Sequence, residues 1–225
     1  MITANKKPWF EKLFYQYNRQ LMKRHFHSIS LQTPDTLPEH ALVCINHSSW
    51  WDGLILFHLN QRILKQDMYA MMHEHGLKKH PFFRKIGAFS VDRNYPRKIL
   101  QSIKYASELL HSGKTVALFP QGEEMHLETR PLTFMPGAVK LLEENPSVPL
   151  LPVVFYYSFG HFQKQEIFIK IGNPLYISDL PGNDRKSKNR VLEQYMEEML
   201  NAVKQDVIAE SFKGMQILQK ERNKL

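Results

Sequence analysis

The chain holds a single cysteine, Cys44, set inside the apolar run from Ala41 to Ile45. One cysteine cannot build a disulfide framework within a chain, and its apolar neighbours make it a small buried hydrophobe, not a nucleophile. Long apolar runs are also missing: none approaches the roughly 18 residues that a membrane-spanning helix requires. The opening stretch Met1 to Pro8 lacks the uninterrupted apolar core of a secretion signal. A cytoplasmic protein is therefore expected, and any membrane contact must be peripheral. There is no Gly-x-Ser-x-Gly elbow, no internal repeat and no low-complexity stretch, which excludes a serine-hydrolase nucleophile of that kind and repeat architectures.

What is present suits a folded enzyme-sized domain. The 225 residues are 43% hydrophobic and 23% charged, enough for a sizeable core and too apolar for disorder. Thirty Lys and Arg against 22 Asp and Glu give a net charge of +8. That balance favours an anionic partner such as phospholipid head groups, nucleic acid or a phosphorylated substrate, and charge alone does not choose among them. A nucleic-acid-binding protein is the reading from a different class, but the basic residues are spread along the chain and no recognisable nucleic-acid motif accompanies them.

Periodicity divides the chain. In residues 1–30, Trp9, Phe10, Leu13, Phe14, Tyr17 and Leu21 recur at helical spacing among Lys6, Lys7, Lys12, Arg19, Lys23 and Arg24, a basic amphipathic helix that can pack on the core, touch a membrane, or both. Residues 31–180 alternate apolar strand-like runs with helical ones, which favours an α/β core. In residues 181–225, Leu192, Tyr195, Met196, Met199, Val203 and Val207 predict a long amphipathic helix packing on that core, after a polar surface loop from Pro181 to Lys188.

The segment from Asn46 to Asp52 follows the buried strand Ala41 to Ile45 and precedes a helix over Trp50 to His58. His47 would thus stand at the carboxyl edge of a sheet, where open α/β sheets build their sites. On a continuous helix, residues five apart diverge by about 140°. His47 must therefore precede the helix, so that Asp52 can reach back, fix the tautomer of the imidazole and leave its other nitrogen free to take a proton. Spacing alone is weak support, since about 0.3 such His-x4-Asp pairs arise by chance in a chain with this many His and Asp. Ser48 and Ser49 are better explained as helix-capping residues than as nucleophiles.

Three further segments follow in order: Gly87 to Arg93, Phe119-Pro120-Gln121-Gly122-Glu123, and the strand from Val148 to Val153. Together with the His-x4-Asp segment they resemble the blocks of the glycerolipid acyltransferase family, over roughly residues 40 to 160. The resemblance implies a mixed, largely parallel α/β sheet flanked by helices, with an N-terminal amphipathic helix and a long C-terminal one. It implies transfer of a fatty acyl group from coenzyme A or acyl carrier protein to a lipid acceptor hydroxyl at the inner face of the membrane. Neither a metal nor a resident cofactor is implied. His47 would be the general base, Asp52 its partner, and Arg93 a ligand of the acceptor's phosphate, with Gln121, Gly122 and Glu123 lining the acceptor site.

The third block departs from the family's common Phe-Pro-Glu-Gly-Thr-Arg, reading Phe119-Pro120-Gln121-Gly122-Glu123-Glu124 here. A cation is lost and a carboxylate gained, which disfavours a phosphate monoester by like-charge repulsion unless Arg130 or Arg97 folds in. A lysophospholipid or a glycosylated lipid is the expected acceptor. A catalytically inactive lipid-binding relative is the alternative, and the retention of both His47 and Asp52 speaks against it.

Overall fold

The computed structural model describes residues 1–220. Its strands are β1 (Phe26–Gln32), β2 (Leu42–Ile45), β3 (Met68–His73), β4 (Ala88–Val91), β5 (Thr115–Leu118), β6 (Leu150–Ser158), β7 (Gln165–Ile171) and β8 (Gln216–Lys220). The α-helices are α1 (Pro8–His25), α2 (Asp52–Leu59), α3 (Glu74–Lys79), α4 (Pro96–His111), α5 (Gly137–Glu144) and α6 (Arg185–Ile208). All the strands join one sheet in the order β4-β3-β5-β2-β6-β7-β1-β8. From β4 to β6 the neighbours run parallel, whereas β7 pairs antiparallel with β6 and parallel with β1, and β8 lies antiparallel on the β1 edge. The sheet is the mixed, mostly parallel α/β sheet expected.

Both faces are covered, which is why the central strands read as continuous apolar runs and not as alternations. Leu42 and Cys44 of β2 join a core with α4, α5 and α6, while Val43 and Ile45 face the opposite core with α1 and α2. Pro8 begins α1, where a missing N–H costs nothing, and Lys23, Arg24 and His25 sit in its last turn, beside the negative end of the helix dipole. Phe14, Asn18 and Met22, four residues apart, turn inward, and the Asn18 amide donates to the Leu54 carbonyl of α2 at 2.9 Å. Trp9, Leu13 and Tyr17 form a second stripe, each about 60% exposed (62%, 60% and 59%).

The boundaries of two helices differ most from expectation. Helix α2 starts at Asp52 and not at Trp50, because the Asp52 carboxylate turns back to the preceding loop and holds Ser48 and Ser49 in a non-helical path. The tail helix stops at Ile208, where Glu210 takes a left-handed φ of 49° and Gly214 a φ of 77°. The chain then returns as β8 along β1. Residues 221–225 of the tail expected to be helical lie outside the described residues.

Candidate active site

Parallel pairing of β4, β3, β5, β2 and β6 brings the ends of these strands to one edge of the sheet. His47 follows β2, Arg93 follows β4, the segment from Phe119 to Glu124 follows β5, and Tyr157 stands near the end of β6. The sequence blocks are far apart in the chain and adjacent in space for that one reason. Asn46 continues the β2 ladder with its side chain: its amide donates to the Phe155 carbonyl at 3.0 Å, and its carbonyl accepts from the Phe155 N–H at 2.7 Å. This bridge fixes where β2 ends and hence where His47 emerges.

Asp52 is fully buried, at 0% exposure, so its carboxylate must find donors within the protein. Four are at hand. The Ser48 and Ser49 N–H groups donate to Oδ2 at 2.7 and 3.0 Å, His47 Nδ1 lies 2.8 Å from the same oxygen, and the Tyr157 hydroxyl donates to Oδ1 at 2.5 Å. A carboxylate only accepts, so Nδ1 carries the proton and Nε2 keeps the lone pair. Burial, and then the Asp52 carboxylate, push the Tyr157 hydroxyl well above its ordinary range, which keeps it a donor. The imidazole rests on the Phe119 ring, centroids 4.4 Å apart and 27° between planes.

The third block grips His47 from both sides. Gln121 Oε1 accepts from the His47 N–H at 2.6 Å, and the Met125 N–H donates to the His47 carbonyl at 2.9 Å. Only an acceptor is needed at that point, so the amide of Gln121 serves as well as a carboxylate would. Gly122 has a φ of 80°, and a Cβ there would stand 2.6 Å from Arg93 Nη1. The turn's positive φ favours glycine, and the missing side chain leaves room for the guanidinium to lie close. Arg93 Nη2 lies 3.9 Å from Glu123 Oε2, and Glu124 Oε1 lies 4.0 Å from His47 Nε2.

Arg130 does not replace the missing cation. Its guanidinium is held by Asn201 Oδ1 at 3.0 and 2.8 Å and by the Leu127 and Thr129 carbonyls, and Arg97 is exposed on the first turn of α4. Ser49 Oγ accepts from the Trp51 N–H at 3.2 Å. Ser48 Oγ is buried without a hydrogen-bond partner, so neither serine hydroxyl is bonded to His47. Burial raises the Cys44 thiol far above its ordinary range, as suits an apolar core group. Among the described residues no group of three or more His, Cys, Asp or Glu is arranged to hold a metal ion.

Tyr157 is the site residue that sequence reasoning missed, because the fourth block was read only from Val148 to Val153. Alternation along the strand carried the signal: Val153, Phe155 and Tyr157 share a face, and that face looks toward α2, where Asp52 lies. Glu124 entered that reading as a cation lost and a carboxylate gained at the acceptor site, and its place beside Nε2 was not visible.

An imidazole with a buried carboxylate behind it and an open nitrogen in front, at the carboxyl edge of an α/β sheet, is equipment for activating a hydroxyl. A sequence model of the Acyltransferase family matches residues 28–156, more than half of the chain. The chain belongs to that family. It is 26% identical over 164 residues to a protein of Mycoplasma genitalium described as a probable 1-acyl-sn-glycerol-3-phosphate acyltransferase, across 64% of this chain and 60% of that relative. The chain thus matches less than two thirds of the curated relative's length. Its fold is similar to the crystal structure of the 1-acyl-sn-glycerophosphate (LPA) acyltransferase PlsC from Thermotoga maritima, with a TM-score of 0.65 at 16% identity over 86% of this chain and 79% of that one.

Proposed function

We propose that the chain moves a fatty acyl group from a thioester of coenzyme A or acyl carrier protein to a hydroxyl of a lipid acceptor. The observation that carries this reading is the 2.8 Å contact between His47 Nδ1 and the buried Asp52, with Nε2 left open beside the Arg93 mouth. The acceptor O–H gives its proton to Nε2 as its oxygen attacks the thioester carbonyl. The tetrahedral adduct collapses, the C–S bond breaks, and the proton on Nε2 passes to the departing thiolate. Asp52 holds the ring and stabilises the imidazolium between these two transfers. The thioester itself supplies the activation, so the reaction as drawn calls for no resident cofactor or metal.

The acceptor is a lipid. The description of the Mycoplasma relative supports a glycerophosphate lipid as the general class, whereas Glu124 at the mouth favours a lysophospholipid or a glycosylated lipid over a simple phosphate monoester. Arg93, Gln121, Gly122 and Glu123 form that side of the acceptor site. Access to such lipids is expected at the inner membrane surface, where the protein sits peripherally: no helix among the described residues is long and apolar enough to cross a membrane. Trp9, Leu13 and Tyr17 offer an exposed apolar stripe on a basic helix. Exposed Trp50 lies beside Trp51, which packs on His25 and Phe26, so the end of α1 adjoins the mouth.

The test is acceptor-dependent release of free thiol by the purified chain, with acyl-coenzyme A or acyl carrier protein as donor and a panel of lysolipids as acceptors. Release stimulated by at least one lipid acceptor, with that lipid recovered in acylated form, is the expected result. Lipid binding without any acceptor-dependent release across the panel contradicts transfer and leaves an inactive lipid-binding protein.

A further inference from the structure

The mouth of the site carries more negative charge than an anion-binding mouth needs. Arg93 is flanked by Glu123, 3.9 Å away, and its guanidinium lies over Gly122. Glu124, about half exposed, stands 4.0 Å from His47 Nε2, which is where an acceptor hydroxyl must arrive. Lys98 lies 2.8 Å from Asp92 and 3.4 Å from Glu74, the Arg130 guanidinium is held by the Asn201 amide, and Arg97 is exposed on α4. Glu124 also acts electrostatically inward, since its charge is among those that hold the Tyr157 proton in place.

We propose that Glu123 and Glu124 read the charge of the acceptor's head group and select a zwitterionic lysophospholipid, bearing one phosphodiester and one ammonium, over a phosphate monoester. The inference rests on the acyl-transfer reading and narrows its acceptor. A phosphodiester brings a single negative charge, which the Arg93 fork binds through paired N–H groups. Its ammonium then falls near Glu123, beside the same guanidinium, and the mouth is left no more negative than before. A phosphate monoester brings a charge of about −1.5 to −2 at neutral pH. One guanidinium already facing a carboxylate cannot neutralise that, and Glu124 repels the excess. A neutral glycolipid escapes the repulsion and its hydroxyls donate to the carboxylates, but it brings neither an anion for Arg93 nor a cation for Glu123, so the pair favours it less than the zwitterion.

The experiment compares lysophosphatidylethanolamine, lysophosphatidic acid and a monoacyl glycolipid as acceptors for the full chain, each presented below its micellar concentration. The unsubstituted protein is expected to prefer lysophosphatidylethanolamine over lysophosphatidic acid by at least about tenfold in kcat/KM, about 1.4 kcal/mol. The double variant Glu123→Gln, Glu124→Gln, at exposed positions with the shape retained, should narrow that ratio at least tenfold, chiefly through KM. An unchanged ratio overturns the proposal. So does an equal fall in kcat for every acceptor, which would make Glu124 a group acting through His47, and so does a preference for the glycolipid. Equilibrium binding of the same lysolipids to the His47→Ala protein separates this inference from the reading beneath it. Selective binding of lysophosphatidylethanolamine that Glu123→Gln, Glu124→Gln abolishes supports the charge filter even if no protein releases thiol. His47-dependent transfer with no effect of the glutamines on binding sinks the filter and keeps transfer.

Discussion

Asp52 connects two separate stretches of chain. Its two oxygens join the loop N–H groups of Ser48 and Ser49, the ring of His47 and the hydroxyl of Tyr157, which lies 105 residues further along. Replacing Asp52 by Asn keeps the volume but removes the charge that stabilises the imidazolium, and it sets an NH2 donor against the Tyr157 hydroxyl or, flipped, against Nδ1 and the Ser48 and Ser49 N–H groups. Acceptor-dependent thiol release is expected to fall by roughly 10³–10⁴ for Asp52→Asn, and by roughly tenfold for Tyr157→Phe, which removes one donor and leaves the tautomer intact. Thermal unfolding should show both variants folded, and equal losses for the two would contradict this division of labour. The His47–Asp52 relation was legible in the sequence because it is local: five residues across a strand-to-helix junction leave few geometries. Tyr157 was not, because its partner is set by the register of β6 on β2, with Ile45 beside Val153.

Elements with strong periodicity were legible. The apolar spacing of α1 and α6 and the buried runs of β2 and β5 are fixed by what a covered sheet demands. Helix α3, only six residues long, was missed, and so was β8, a half-exposed edge strand with no clear alternation that exists because β1 offers it a free edge. Helix α2 carries a consequence for stability. Both ring nitrogens of His58 are buried without hydrogen-bond partners. Burial first, then the Arg62 and Arg19 charges, lower its pKa from 6.5 to about 4. The unfolded chain therefore binds a proton that the folded one refuses, and stability present above pH 6.5 is lost as pH falls toward 4, by about 3 kcal/mol at the limit. His58→Phe or His58→Leu should flatten the fall of denaturation midpoint between those pH values relative to the unsubstituted protein. Parallel curves in both variants would show that His58 does not carry the acid sensitivity.

At the scale of the whole molecule, a net charge of +8 and an exposed stripe of Trp9, Leu13 and Tyr17 sit on a chain whose proposed acceptors are lipids. Lys12, Lys23 and Arg24 are exposed on the same helix. Apolar insertion and attraction to anionic head groups add on such a surface. Trp9→Ala, Leu13→Ala and Tyr17→Ala together should weaken co-sedimentation with anionic vesicles at least tenfold while helix content, read by circular dichroism, stays near that of the parent. Undiminished vesicle binding would move the membrane contact elsewhere on the molecule. Catalysis as proposed depends on one nitrogen, His47 Nε2. The decisive measurement is thiol release from an acyl thioester, with and without lipid acceptor, for the parent and for His47→Ala: the acceptor-dependent rate should disappear in the variant while lipid binding persists, and an undiminished acceptor-dependent rate would refute the role of His47.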